Sequence, residues 1–157
     1  MKKTKTNWLY SQIVKEHFLN PKNVLWDEKN YRADGKGMAG NPVCGDIMSV
    51  WIKVDEKNKK IKDCKWRTYG CGAAIASTSM LSVMVTEKGG MTLKKALNLK
   101  PQEIVKRLGG LPVLKFHCSV LGQVALKKAI NDYLKKTEKK KVISLFSRKK
   151  SEKPAMS

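Results

Sequence analysis

Three cysteines in glycine-rich or loop-forming surroundings constrain this chain more than any other feature. Cys44 lies in Gly40-Asn41-Pro42-Val43-Cys44-Gly45-Asp46, Cys71 lies in Tyr69-Gly70-Cys71-Gly72, and Cys118 follows His117 in Lys115-Phe116-His117-Cys118-Ser119. Converging thiolates would bind iron or zinc, with Asp46 and His117 as harder oxygen and nitrogen ligands beside them. Glycine lets the backbone approach a bulky inorganic group and leaves its N–H free to point at sulfur.

Cys64 differs. It falls in the alternating, strand-like run Ile61-Lys62-Asp63-Cys64-Lys65-Trp66 with no glycine beside it, and is expected to pack as a small hydrophobe. Four cysteines allow two disulfides by count. In a reducing cytosol, however, spaced cysteines serve as metal ligands or reactive thiols.

At 157 residues with 41% hydrophobic content, the chain is long enough for one domain with a real core. No apolar run approaches the roughly 18 residues a membrane helix needs. The basic start, Met1 to Thr6, leads into an amphipathic stretch, Trp8 to Phe18, that carries Lys15 and Glu16. That pattern excludes a secretory signal, and a cytoplasmic protein is expected.

The net charge is +20, and residues 137–157 hold 7 of the 33 basic and 2 of the 13 acidic residues. The charge therefore belongs to the folded part as well. Twenty-nine lysines stand against only Arg32, Arg67, Arg107 and Arg148. Base recognition favours arginine's planar fork, so the excess reads as a lysine-biased solvated surface that would matter mainly toward acidic partners. Neither nucleic acid nor membrane is expected as a partner.

Residues 7–19 predict an amphipathic helix stopped by Asn20-Pro21. Residues 22–45 predict a loop-rich stretch, with Asp34-Gly35-Lys36-Gly37 and Asn41-Pro42 as turn signals. Ile47–Val54 and Ile61–Tyr69 predict a hairpin. Gly72 opens a small-residue run that continues as a helix to about Glu87 and can lie close against the sheet. Short helices follow at 93–98, capped by Thr92, and from Pro101 to about Leu108. Gly109-Gly110-Leu111-Pro112 makes a stiff loop, and a final amphipathic helix is predicted over about 118–136. Residues 1–136 form the expected domain and 137–157 a basic, flexible tail interrupted by Val142-Ile143-Ser144-Leu145-Phe146. The expected fold is α+β, a small antiparallel sheet of about three strands packed by several helices, with the metal site at one end.

Each ligand candidate falls at an element boundary. Cys71 sits between a strand end and a helix start, and Cys118 at the start of the last helix. The positive end of a helix dipole favours thiolate over thiol there, and Lys115 would add to that field. Such a placement suits metal binding and nucleophilic sulfur chemistry alike.

The motifs around Cys44, Cys71 (Tyr69 to Ser79) and Cys118 (Lys115 to Leu121), with Tyr10-Ser11 and Asn20-Pro21-Lys22-Asn23-Val24, resemble the U-type iron–sulfur cluster assembly scaffolds, the IscU/NifU N-terminal family. The resemblance covers roughly residues 8–136. It implies a non-enzymatic scaffold on which a [2Fe–2S] cluster is built from Fe2+ and persulfide sulfur, then handed to apo acceptors. It also implies that Cys44, Cys71 and Cys118 are thiolate ligands and that Asp46 or His117 completes the site. Cys118 would accept the persulfide from a cysteine desulfurase, Asp46 would admit iron and keep the cluster labile, and Lys115 would assist as a nearby charge. A ferredoxin or frataxin-like factor would take part, and Zn2+ would occupy the same place in the apo scaffold.

One departure concerns Hsp70/J-type chaperones. The family's Leu-Pro-Pro-Val-Lys is here Leu111-Pro112-Val113-Leu114-Lys115, and losing the second proline removes part of the extended preorganisation. A stand-alone scaffold is expected, without the second Cys-x-x-Cys domain of full-length NifU-like proteins. Against the scaffold stand a structural zinc site, a Cys118/His117 hydrolase and a basic nucleic-acid-binding module. Structural zinc usually shows close Cys-x₂₋₄-Cys pairs, and adjacent residues seldom aim at one another. His17 reads as a packed or surface histidine.

Overall fold

A computed structural model describes residues 10–41 and 45–151. The chain runs α1 (Gln12–Leu19), β1 (Gly35–Asn41), β2 (Asp46–Asp55), β3 (Lys60–Tyr69), α2 (Gly72–Thr86), α3 (Leu93–Leu97), α4 (Pro101–Arg107), a 3-10 turn (Val113–Lys115) and α5 (Phe116–Ser151). The three strands form one antiparallel sheet in the order β1-β2-β3. The expected α+β architecture is present.

Alternation sets the two sheet faces. Met48, Val50 and Ile52 on β2 are fully buried, as are Ile61, Cys64 and Trp66 on β3 to within 2%. These residues face α2 and α5, which supply Ala73, Ala76, Leu81, Leu126 and Ile130 to the same core. α2 is buried along almost its whole length, so it has no polar stripe to read. Its hydroxyls are satisfied locally: Thr78 Oγ1 donates to the Ala74 carbonyl at 2.8 Å and Ser82 Oγ to that of Ser79 at 2.7 Å.

Two elements depart from expectation. The glycine-rich segment expected as loop contains strand β1, whose Gly35, Gly37 and Ala39 pair with Ile52, Val50 and Met48. A Cβ on Gly35 would lie 2.2 Å from the Ala129 carbonyl oxygen, and one on Gly37 2.1 Å from that of Ala125. These glycines let α5 rest directly on the strand's backbone. The last helix, expected over about 118–136, begins at Phe116 and continues to Ser151. Most of the stretch set apart as a tail is thus helical, including 142–146.

Cys64 packs as expected. It is 1% exposed within the core, and burial, with lesser help from Asp63, pushes its thiol from 9.0 up to about 12. His17, half-buried, meets Ser79 Oγ through Nδ1 at 2.7 Å, in keeping with a packed histidine.

Candidate metal centre

The site gathers at the sheet end where β2 begins, β3 ends and α5 starts. Asp46 is the first residue of β2, paired with Asn41 at the last register of β1. Across the sheet Ile47 pairs with Tyr69, which places Asp46 beside the Gly70-Cys71 junction. Cys71 is the N-cap of α2, with extended backbone and no side-chain capping bond. His117 and Cys118 lie in the first turn of α5.

The side chains converge. Cys118 Sγ lies 3.7 Å from Asp46 Oδ2, 3.6 Å from His117 Nε2 and 3.7 Å from Cys71 Sγ. His117 Nε2 is also 3.7 Å from Asp46 Oδ2. Ligands about 2.0–2.3 Å from a tetrahedral ion stand roughly 3.3–3.8 Å apart. The Asp46–His117–Cys118 separations, all within 4.8 Å, therefore match the edges of one such polyhedron. Cys71 extends the group through its contact with Cys118. Cys44 lies outside the described residues.

Asp46 and Cys118 are buried, at 5% and 0% exposure, whereas Cys71 and His117 are partly open. Gly70 makes room for the carboxylate, since a Cβ there would stand 2.9 Å from Asp46 Oδ1. Sequence reading tied that glycine to the sulfur; the structure ties it to Asp46. The Tyr69-Gly70-Cys71-Gly72 motif was visible, but its partner across the sheet was not.

The electrostatics correct one expectation. Cys118 does sit in a helix's first turn, yet its thiol is pushed well above the ordinary range, first by burial, then by Cys71 and by Asp46. Without a bound cation, desolvation and neighbouring negative charge outweigh the helix dipole. Lys115 is raised chiefly by Cys71, with smaller contributions from Tyr10, Cys118 and Asp46. It is therefore within electrostatic reach of these groups, and is itself half-exposed. Apolar side chains stand exposed on the segments next to the site in sequence: Tyr69 is 70% exposed, Val113 91% and Leu114 85%.

An α+β domain with a carboxylate, an imidazole and thiols at one sheet end defines a metal-handling class. The NifU-like N terminal domain family matches residues 9–140, and the chain belongs to that family. It is 47% identical over 131 residues to "Iron-sulfur cluster assembly scaffold protein IscU 1" of Archaeoglobus fulgidus, covering 83% of this chain and 80% of that one. It is 48% identical over 127 residues to the IscU scaffold protein of Aquifex aeolicus, covering 81% and 77%. A crystal structure of a NifU-like N-terminal protein from Brucella abortus shares the fold, with a TM-score of 0.60 at 18% identity over 82% of this chain and 96% of that one.

Proposed function

We propose that this chain is a scaffold on which iron–sulfur clusters are assembled, as [2Fe–2S], and then passed to apo acceptor proteins. The observation that carries the reading is the meeting of Asp46, His117 and Cys118 at tetrahedral spacing, with Cys71 against Cys118. Family membership and the scaffold names of the relatives support it. Iron and sulfur are cargo. Cys44, Cys71 and Cys118 supply thiolates, and Asp46 or His117 completes the coordination. Before assembly the same groups hold a single Fe2+ or Zn2+ ion.

Sulfur enters at Cys118. Opening to solvent removes the burial that holds its thiol up; the thiolate then attacks the terminal sulfur of a persulfide on a cysteine desulfurase, the new S–S bond forms at Cys118, and the desulfurase cysteine leaves as a thiolate. Each transferred sulfur then takes up two electrons, from a ferredoxin-class donor, to become sulfide. Because Cys118 is closed to solvent, this exchange requires the site to open. Val113 and Leu114 stand nearly free of the domain, which suits contact with partner proteins, while the departure at Leu111-Pro112-Val113-Leu114-Lys115 counts against an Hsp70-class chaperone among them. Lys115 attracts the incoming anionic sulfur. Asp46 contributes a hard oxygen, a poorer match for a cluster than thiolate, so the assembled cluster is released rather than retained. The expected compartment is the cytoplasm.

Anaerobic incubation with Fe2+, cysteine and a desulfurase is expected to give a brown protein with cluster absorbance. Cluster formation by a Cys44→Ser/Cys71→Ser/Cys118→Ser variant would overturn the reading. Asp46→Ala is expected to slow transfer to an apo-ferredoxin, and unchanged kinetics would remove its role in lability.

A further inference from the structure

α5 does not stop where the core does. Its last buried residue is Tyr133, and every residue from Glu138 through Arg148 is exposed. Continuing to Ser151, the extension is roughly 20 Å long. A purely polar extension would be a solvated spacer. This one carries Val142, Ile143, Leu145 and Phe146 at 50%, 68%, 58% and 67% exposure. Ile143 and Phe146 are three residues apart, and Val142 and Phe146 four, so they share a face. Val142 and Ile143 line a shallow apolar depression with Lys135, Glu138 and Lys139. Lys140, Lys141 and Arg148 line the groove facing Glu56 and Lys59 of the β2–β3 turn, with Leu145 at its edge. Six basic residues and one acid fall between 137 and 151.

We propose that residues 138–151 form an interfacial anchor that lies on an anionic lipid surface, with Val142, Ile143 and Phe146 at the acyl boundary and the lysines against the headgroups. Charge selects the occupant. A second copy would bring two strongly positive segments together. An acidic protein surface would favour arginine's bidentate fork, yet five of the six basic residues are lysines, point charges suited to a diffuse anionic layer. The sequence expectation excluded a membrane partner because no segment is long enough to span. No described helix is long and apolar enough to cross a membrane, but a helix lying in the interface plane needs no such length. Some 40 Å of α5 separates Cys118 from Ile143, so an anchored scaffold keeps its metal site clear of the surface. The inference goes beyond the cluster reading and stands without it.

The test is flotation of the full chain with phosphatidylcholine vesicles, with and without phosphatidylglycerol, at two salt concentrations. Binding is expected only to the anionic vesicles, weakening as salt rises. Lys139→Gln/Lys140→Gln/Lys141→Gln is expected to lower partitioning by about fivefold per lysine. The decisive variant is Ile143→Ser/Phe146→Ser, which preserves the net charge and is expected to lose binding by at least about tenfold with unchanged circular dichroism. Retained binding would show adsorption of a basic domain without insertion and overturn the anchor. Equal capture by soluble polyglutamate would assign the helix to acidic protein instead. A lipid-free dimer in sedimentation velocity, abolished by the same pair of serines, would assign it to self-association.

Discussion

Gly37→Ala isolates the contact that fixes α5 on the sheet. The new methyl would lie 2.1 Å from the Ala125 carbonyl oxygen, 2.4 Å from the Ala129 amide nitrogen and 2.8 Å from Lys128 Cβ, where ordinary contact begins at 3.4 Å. Two of those neighbours are backbone, so no rotamer change relieves the clash. Either the strand or the helix must retreat by about 1 Å, loosening the contacts of Val50, Ala125 and Ala129, all fully buried. Overpacking of this kind costs about 3 kcal/mol, and at this size lowers Tm by about 6–12 °C. Gly40→Ala is the control on the same strand, because its methyl would meet nothing closer than 3.7 Å. Thermal unfolding of the two variants side by side checks the reasoning. A Gly37→Ala melt within about 1 °C of Gly40→Ala would refute the claim that glycine is required for the approach of α5.

Gly122→Ala, in α5, should stabilise by about 0.5–1 kcal/mol in a denaturant melt, since its methyl would make ordinary contact with Leu81 at 3.4 Å. Ser11→Ala should cost about 1 kcal/mol in the same assay, because Ser11 Oγ accepts from the Val14 amide at 3.1 Å and donates to the Leu108 carbonyl. Cys64→Val should leave cluster formation unchanged while altering the alkaline limb of stability. The thiol's pKa is raised from 9.0 to about 12 in the folded protein, so its contribution is full below about 9 and is lost as pH rises toward 12. Stability of the wild type relative to Cys64→Val should therefore fall across that window, and a flat difference would contradict it. Asp46→Ala should weaken binding of a single zinc ion in isothermal titration by at least the roughly 10- to 100-fold that follows loss of an outer-shell partner.

What the sequence disclosed depended on whether a local signal agreed with the tertiary one. β2, β3, α2 and the short helices carry their own periodicity and caps, and they fall within a residue or two of expectation. β1 does not. Its Gly-Lys-Gly-Met-Ala-Gly-Asn sequence lacks the branched residues that mark strands and reads as turn. The same glycines are strand residues because a helix distant in sequence lies against them. The end of α5 was obscured differently: loss of apolar periodicity after Lys136 looked like loss of structure. Yet lysine and glutamate are good helix formers, and no glycine or proline interrupts the run before Pro154.

At the site, position was legible and environment was not. The N-terminal placement of Cys71 and Cys118 followed from the motifs, but a helix terminus favours a thiolate only where solvent or positive charge cooperates. Cys118 instead shares a buried corner with Asp46 and a second thiol. Burial and these two neighbours push the Cys118 thiol up, which disfavours its thiolate in that corner. A cation held between them would offset that cost. In the proposed scaffold, the same corner would limit how tightly a cluster is held. One of its groups is a carboxylate wedged over Gly70, where a methyl would already crowd Oδ1 at 2.9 Å, and oxygen is the weaker partner for a thiolate-bound cluster. In the proposed scaffold, a cation between these groups would offset the cost of ionising a buried thiol, and the one oxygen ligand would keep the cluster exchangeable.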